Sequence, residues 1–278
     1  MEYLNVDGLV MPQIGIGTFP MKGDVLNQAL DTAVNSGYEL IDTAYKYQNE
    51  TVIGDFLNHV SRPVLVQSKL SVTQLTYKKF LCFKYNKKTI DDGINGSIER
   101  LKKESLDVYL LHAPSNGFEK YWGDLLRFKE QGKAKVVGVC RFDEKQLQII
   151  KNQYGGYPAI NQIEVHPFHT NKRLIEFCKS KGIAVEARTL LTHGDALNEF
   201  LSNDTLVGIA YSHKKTVPQV IIRWVVQQGV IAIVKSENNK HIKENIEVFD
   251  FCLDNNEMAL IDSLNKDQSF GCVSSKNK

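Results

Sequence analysis

Eight times along this chain a short apolar run is followed by a stretch with helical spacing, and no other feature constrains the fold so tightly. The apolar runs lie near residues 14, 40, 66, 109, 138, 161, 185 and 232. Leu106–His112 is apolar almost without alternation, as expected of a strand buried on both faces. Between the runs the apolar residues recur with a helical period. Val25, Leu26, Ala29, Ala33 and Val34 do so within Asp24–Ser36, and Val52, Ile53, Phe56, Leu57 and Val60 within Asn49–Val60. Ile90, Ile94, Ile98 and Leu101 do so within Thr89–Lys103. The same reading predicts helices over Phe118–Gln131, Asp143–Tyr154, Asn171–Lys181, Asp204–Lys214, Pro218–Gln228, His241–Val248 and Asn255–Leu264. Gly37, Gly132 and Gly182 fit positions just past helix ends, Asp143 fits an N-cap, and Pro218 fits a first turn.

Eight βα units in 278 residues point to an α/β fold, a (β/α)8 TIM barrel forming one domain over residues 1–278. Ahead of the first unit, Asp7-Gly8 separates Tyr3–Val6 from Leu9–Met11, the signal of a tight β-hairpin, expected to close the barrel bottom. A doubly wound open sheet is the alternative. It calls for a glycine-rich phosphate turn, and Gly15-Ile16-Gly17 lacks the third glycine. Ser71–Lys88 reads as an irregular segment, and residues 266–278 as a loose tail.

A net charge of +2 gives no pull toward nucleic acid or a membrane surface, and no apolar run approaches the ~20 residues of a membrane helix. The start MEYLNVDGLV lacks the pattern of a signal peptide. The five cysteines have no metal-ligand or paired spacing, so reduced thiols, no metal and a cytoplasmic location are expected.

In a barrel of this kind chemistry sits at the C-terminal ends of the strands. Asp42, Lys69 and His112 each end a predicted strand, one βα unit apart, and Tyr47 follows in the loop after Asp42. Phenol is a poor acid at neutral pH, with pKa about 10. An ammonium nearby stabilises phenolate, so Lys69 is expected to lower the Tyr47 pKa while Asp42 holds Lys69 in place. His112 can donate a hydrogen bond to a substrate carbonyl. None of these groups supplies hydride, so reduction would require a nicotinamide cofactor. Taken singly, each residue also fits a structural role, and Lys69 could form a Schiff base in aldolase-type chemistry. Asp42 beside it favours a permanently charged lysine instead.

Longer motifs carry these residues. Asp42-Thr43-Ala44-Tyr45-Lys46-Tyr47-Gln48-Asn49-Glu50, Ser68-Lys69-Leu70, the Leu106–His112 run and Asn161-Gln162-Ile163-Glu164-Val165-His166-Pro167 occur in order, with Lys235-Ser236 and Glu244-Asn245 beyond. In these segments the chain resembles the aldo-keto reductase family from about Gly15 to Asn265. The resemblance implies NAD(P)H-dependent reduction of a small aldehyde or ketone by a monomer. Tyr47 would be the general acid, Asp42 and Lys69 would tune it, and His112 would orient the carbonyl. Gln162 would bind the nicotinamide carboxamide, and Lys235 and Ser236 the adenosine-side phosphate of NADPH, with NADH possible. Thr18, Asp42, Asn238, His241 and Asn245 would complete the cofactor seat.

The departures from the family pattern cluster on that seat. Cys140 and Arg141 stand where the family has Ser-Asn, and Arg188 where an aromatic ring stacks on nicotinamide. His241 replaces the second cation of the phosphate clamp, and Ala113 a tryptophan of the substrate pocket. Two consequences are open. Reduction is retained with altered cofactor contacts, or the barrel serves redox-neutral chemistry or non-catalytic binding. The two arginines could pair with Glu164 or Glu186. If they face the mouth, acidic substrates would fit.

Overall fold

Residues 1–71, 89–192 and 194–270 are described by the computed structural model. The first two strands, β1 (Tyr3–Val6) and β2 (Leu9–Pro12), pair antiparallel with Val6 opposite Leu9. Their turn places Asp7 at φ 53° and Gly8 at φ 85°, the left-handed pair that a two-residue hairpin requires. Val6 and Met11 pack with Leu40, Val108, Leu110, Val136, Ile160, Ile231 and Ile233, the apolar filling of the barrel. Leu65, Ala159 and Ala184, at or next to the first residues of their strands, border the same cluster. The hairpin therefore closes the end of the barrel where the strands begin.

Eight parallel strands form that barrel: β3 (Ile14–Gly17), β4 (Leu40–Asp42), β5 (Leu65–Leu70), β6 (Leu106–Leu111), β7 (Ala134–Cys140), β8 (Ile160–Glu164), β9 (Ala184–Arg188) and β10 (Ile231–Val234). The ring closes where β10 pairs with β3, Ala232 opposite Ile14. Every run predicted as a strand is one. Gly138 is needed on β7, because a Cβ there would meet the Ile160 carbonyl at 2.7 Å and Leu110 at 2.8 Å.

The helices are α1 (Gly23–Asn35), α2 (Glu50–Leu57), α3 (Ile90–Arg100), α4 (Phe118–Glu130), α5 (Glu144–Tyr154), α6 (Lys172–Ser180), α7 (Asp195–Leu201), α8 (Asp204–His213), α9 (Val217–Gln227), α10 (Asn239–Ile246) and α11 (Asn255–Asp262). Their apolar faces pack on the outer side of the strands in one continuous core. Asp143 caps α5 through a reciprocal pair with Gln146, and Thr89 caps α3 in the same way with Asp92.

Three expectations change. The seven-residue α7 is not among the helices expected, since Phe200 is its one buried residue and leaves no apolar period to read. Helix α10 starts two residues before His241, because the Asn238 side chain caps it by accepting from the backbone N–H of Lys240 and His241. Of the tail expected to be loose, residues 266–270 are docked. Lys266 and Gln268 donate backbone N–H groups to the Phe168 carbonyl, and Ser269 Oγ and Phe270 N donate to the Glu164 carboxylate at 2.8 and 2.5 Å. Residues 72–88, most of the segment expected to be irregular, and residues 271–278 lie outside the described residues. Among the described helices none is long and apolar enough to cross a membrane.

Candidate active site

The loop after β4 is fastened on both sides, and this fixes Tyr47. Asn49 Nδ2 donates to the carbonyls of Thr18 and Met21, and Thr43 Oγ1 donates to Asn49 Oδ1 at 2.6 Å. Glu50, buried at the start of α2, accepts from Ser68 Oγ at 2.5 Å and from Arg100 Nε at 2.9 Å. Between these anchors Tyr45–Tyr47 makes one turn of 3₁₀ helix, ended by Gln48 in the left-handed region. Tyr47 is thereby laid over the end of β5.

Lys69 has no exposed surface. Its Nζ donates to Asp42 Oδ1 at 2.5 Å and to the Thr43 carbonyl at 3.1 Å, and lies 3.5 Å from Tyr47 Oη. The Tyr47 and His112 rings meet edge to face at 5.9 Å. The four residues named from the sequence thus converge at one mouth, with the Phe19 ring tilted against Tyr47 at 5.0 Å as an exposed aromatic wall. They do not share one register. Asp42 lies opposite Gln67, two residues below Lys69, and Lys69 lies opposite Leu110, two below His112. The stagger of a tilted barrel carries successive strands upward.

Charge and burial set the protonation states. Burial is the largest single effect on Lys69 and depresses its pKa, but the Asp42 charge and hydrogen bond, with Tyr47 and Cys140, together hold the ammonium above its ordinary value. Burial drives the His112 pKa down to about 2, helped by the charges of Lys69, Arg141, Lys46 and Arg188, so the imidazole is neutral. The expectation for Tyr47 is reversed. Burial raises its pKa by more than Lys69 lowers it, so the phenol holds its proton.

Farther in, Gln162 is buried. Its Nε2 donates to Asp42 Oδ1 at 3.1 Å and to Glu186 Oε2 at 2.9 Å, while its Oε1 faces the Cys140 thiol at 3.7 Å. Thr18 Oγ1 is bound to the Asp42 carbonyl. Arg188 turns to Glu164, Nη2 to Oε2 3.6 Å, and its Nε is buried without a partner among the described residues. Arg141 is exposed at φ 69°, and among the described residues its side chain has neither hydrogen bond nor ion pair. Of the two carboxylates considered for the arginines, Glu164 takes Arg188. Glu186 takes neither and faces the barrel interior.

At the end of β10, Lys235 pairs with Glu237 at 2.5 Å, and Ser236 Oγ accepts the Asn238 N–H at 3.1 Å. His241 is exposed one turn into α10, and Asn245 is buried behind it. Sequence reasoning missed Gln67 and the place of Glu186. The signal was alternation along the strands: Leu65, Gln67 and Lys69 share one face of β5, and Ala184, Glu186 and Arg188 one face of β9.

The donor set fits a nicotinamide dinucleotide. Among the described residues Gln162 Oε1 is met only by a thiol, a weak donor, and so remains an acceptor for a carboxamide N–H. The sequence profile of the Aldo/keto reductase family matches residues 13–266. A glyoxal reductase of Bacillus subtilis (strain 168) is 35% identical over 95% of this chain and 93% of its own. A morphine 6-dehydrogenase of Pseudomonas putida is 34% identical over 93% and 89%. Among solved structures, an aldo-keto reductase enzyme from a Medee basin deep-sea metagenome library superposes with TM-score 0.86 at 32% identity, covering 96% of each chain. A Gox0644 mutant in complex with NADPH does so with TM-score 0.87 at 31% identity, covering 100% of this chain and 98% of that one.

Proposed function

The chain belongs to the Aldo/keto reductase family, a family of oxidoreductases, and from that premise we propose that it reduces a small aldehyde or ketone to the alcohol with NAD(P)H. The observation that carries the reading is Tyr47 Oη set 3.5 Å from a buried Lys69 ammonium that is itself paired with Asp42. The bound dinucleotide would supply hydride to the carbonyl carbon. The protein's own part is to place and protonate the carbonyl oxygen. Neutral His112 donates a hydrogen bond that orients that oxygen toward Tyr47. The Tyr47 phenol gives up its proton as negative charge develops there. Lys69 stabilises the phenolate left behind, and Asp42 keeps the ammonium charged and in place. Burial of Lys69 and Asp42 makes these interactions stronger than they would be in water.

Gln162 would hold the carboxamide, with Thr18, Cys140, Arg141 and Arg188 around the nicotinamide. Lys235, Ser236, Asn238, His241 and Asn245 would form the adenosine end. Lys235 is partly neutralised by Glu237, and the second position of the phosphate clamp is a histidine, His241, in place of a permanent cation. We therefore read the chain as using NADPH without strong preference over NADH. Arg141, whose charge helps to depress the His112 pKa, also favours carbonyl substrates that carry an anionic group.

The direct test is loss of reduced-nicotinamide absorbance with a panel of small aldehydes and ketones, glyoxal included. Aldehyde-dependent oxidation of either dinucleotide is expected. Dinucleotide binding without turnover of any carbonyl would favour the non-catalytic reading.

A further inference from the structure

Beneath the mouth the barrel interior changes from apolar to polar, and the polar groups do not balance in charge. Gln67 on β5, Gln162 on β8 and Glu186 on β9 point inward and are buried, and Glu186 has no exposed surface at all. Gln67 Nε2 donates at 2.7 Å to both Asp42 Oδ1 and Glu186 Oε2, and Gln162 Nε2 donates to the same two oxygens at 3.1 and 2.9 Å. An amide has two N–H donors, so each glutamine spends both in bridging one carboxyl group to the other. The single ammonium in the cluster, Lys69, goes to Asp42. Two carboxyl groups thus share one cation.

The unmet atoms point the same way. Glu186 Oε1 and Gln67 Oε1 are buried with no hydrogen-bond partner among the described residues. Both are acceptors, and the cluster lacks a donor for either. A hydrogen on Glu186 makes that carboxyl group a donor as well as an acceptor and removes the uncompensated charge.

We propose that Glu186 is a neutral carboxylic acid in the working protein, a positioning residue that holds Asp42 on Lys69 through Gln67 and Gln162 without competing for the ammonium. The proposal rests on the reductase reading above, since Lys69 is the group whose charge is kept for Tyr47. The surroundings of Glu186 support it from each side. Asp42 on β4 repels a second negative charge, and Lys69 on β5 is already paired. Cys140 on β7 has its thiol pKa raised by burial, and Arg188, farther up β9, is turned to Glu164. The facing strand β10 offers only Ile231, Ala232 and Ile233. Burial first, then the Asp42 charge, push the Glu186 pKa up to about 7, against the pull of Gln67, Gln162 and Lys69. Above that pH the second carboxylate draws on the Lys69 charge, and stabilisation of the Tyr47 phenolate weakens.

Infrared difference spectroscopy between the wild type and Glu186→Gln at pH 6 is the test. A carbonyl stretch of a protonated carboxylic acid should be present in the wild type and missing in the variant. Glu186→Ala should lower kcat about tenfold, Glu186→Gln should restore it, and the fall in kcat above about pH 7 should disappear in Glu186→Gln. The folded state holds this proton more tightly than the unfolded chain, so wild-type stability should fall as pH rises from the ordinary 4.5 to about 7 and then level, a slope missing from Glu186→Gln. If Glu186→Gln does not fold, the carboxyl-carbon NMR shift of wild type labelled at glutamate reads the same proton. An active wild type without the carboxylic acid signal overturns the proposal. An inactive wild type that shows the signal overturns instead the reductase reading and with it the positioning role.

Discussion

Lys69 Nζ lies 2.5 Å from Asp42 Oδ1, and the two side chains are almost wholly withdrawn from solvent. The pair is better placed for chemistry than for stability, because desolvating two charges offsets most of their attraction. Removing one partner is a different matter. Asp42→Ala leaves a sealed ammonium without a counter-charge and should cost about 3–5 kcal/mol in chemical denaturation. Turnover should fall with it, since an unpaired buried Lys69 tends to neutrality and no longer supports phenolate.

His112 carries a pH prediction. Its folded pKa is depressed to about 2 from 6.5, so the ring stays neutral across the ordinary working range. NMR of the ring should show no titration between pH 5 and 8. By linkage the unfolded chain takes up this proton first, so the stability His112 contributes is present above its ordinary pKa and is lost as pH falls toward about 2.

Glu237 carries a prediction about cofactor choice. Its pairing with Lys235 sets a carboxylate beside the group that would meet a 2′-phosphate. Glu237→Gln should tighten NADPH binding about fivefold relative to NADH, the scale of one exposed ion pair. Calorimetric titration of both dinucleotides reads the ratio, and the gain should shrink at high salt.

Gly54 tests the support behind Tyr47. A Cβ there would lie 2.2 Å from the Arg100 carbonyl oxygen, so α2 and α3 touch backbone to side-chain-free backbone. Gly54→Ala should destabilise by about 3 kcal/mol or more, because rigid main chain has to move. The same shift loosens the Glu50–Arg100 anchor, so turnover should fall more than dinucleotide binding.

The barrel was legible because its strands are short apolar runs buried on both faces, and because Asp7-Gly8 can hardly be anything but a tight turn. The convergence of Asp42, Lys69, His112 and Tyr47 was legible because three of them end successive strands and the fourth follows in the loop after Asp42, a joint placement that single structural roles do not explain. Gln67 and Glu186 were missed: alternation sets them on the faces of Lys69 and Arg188, but that both meet Asp42 follows only from the pairing register. The docking of Ser269 and Phe270 depends on one distant residue, Glu164, which local composition does not reveal. The Tyr47 proton was misjudged for a similar reason. A sequence shows that a lysine is near, but burial decides which of the two opposing effects wins.

The measurement that tests the central claim most directly is Tyr47→Phe, followed in parallel by dinucleotide titration and by carbonyl-dependent oxidation of the reduced cofactor. The ring and its packing against Phe19 and His112 are kept, and only the transferable proton is lost. Binding should stay within about twofold of wild type while kcat falls at least 10²-fold, the lower end of what general acid catalysis supplies. Turnover that survives the change would contradict Tyr47 as the proton donor.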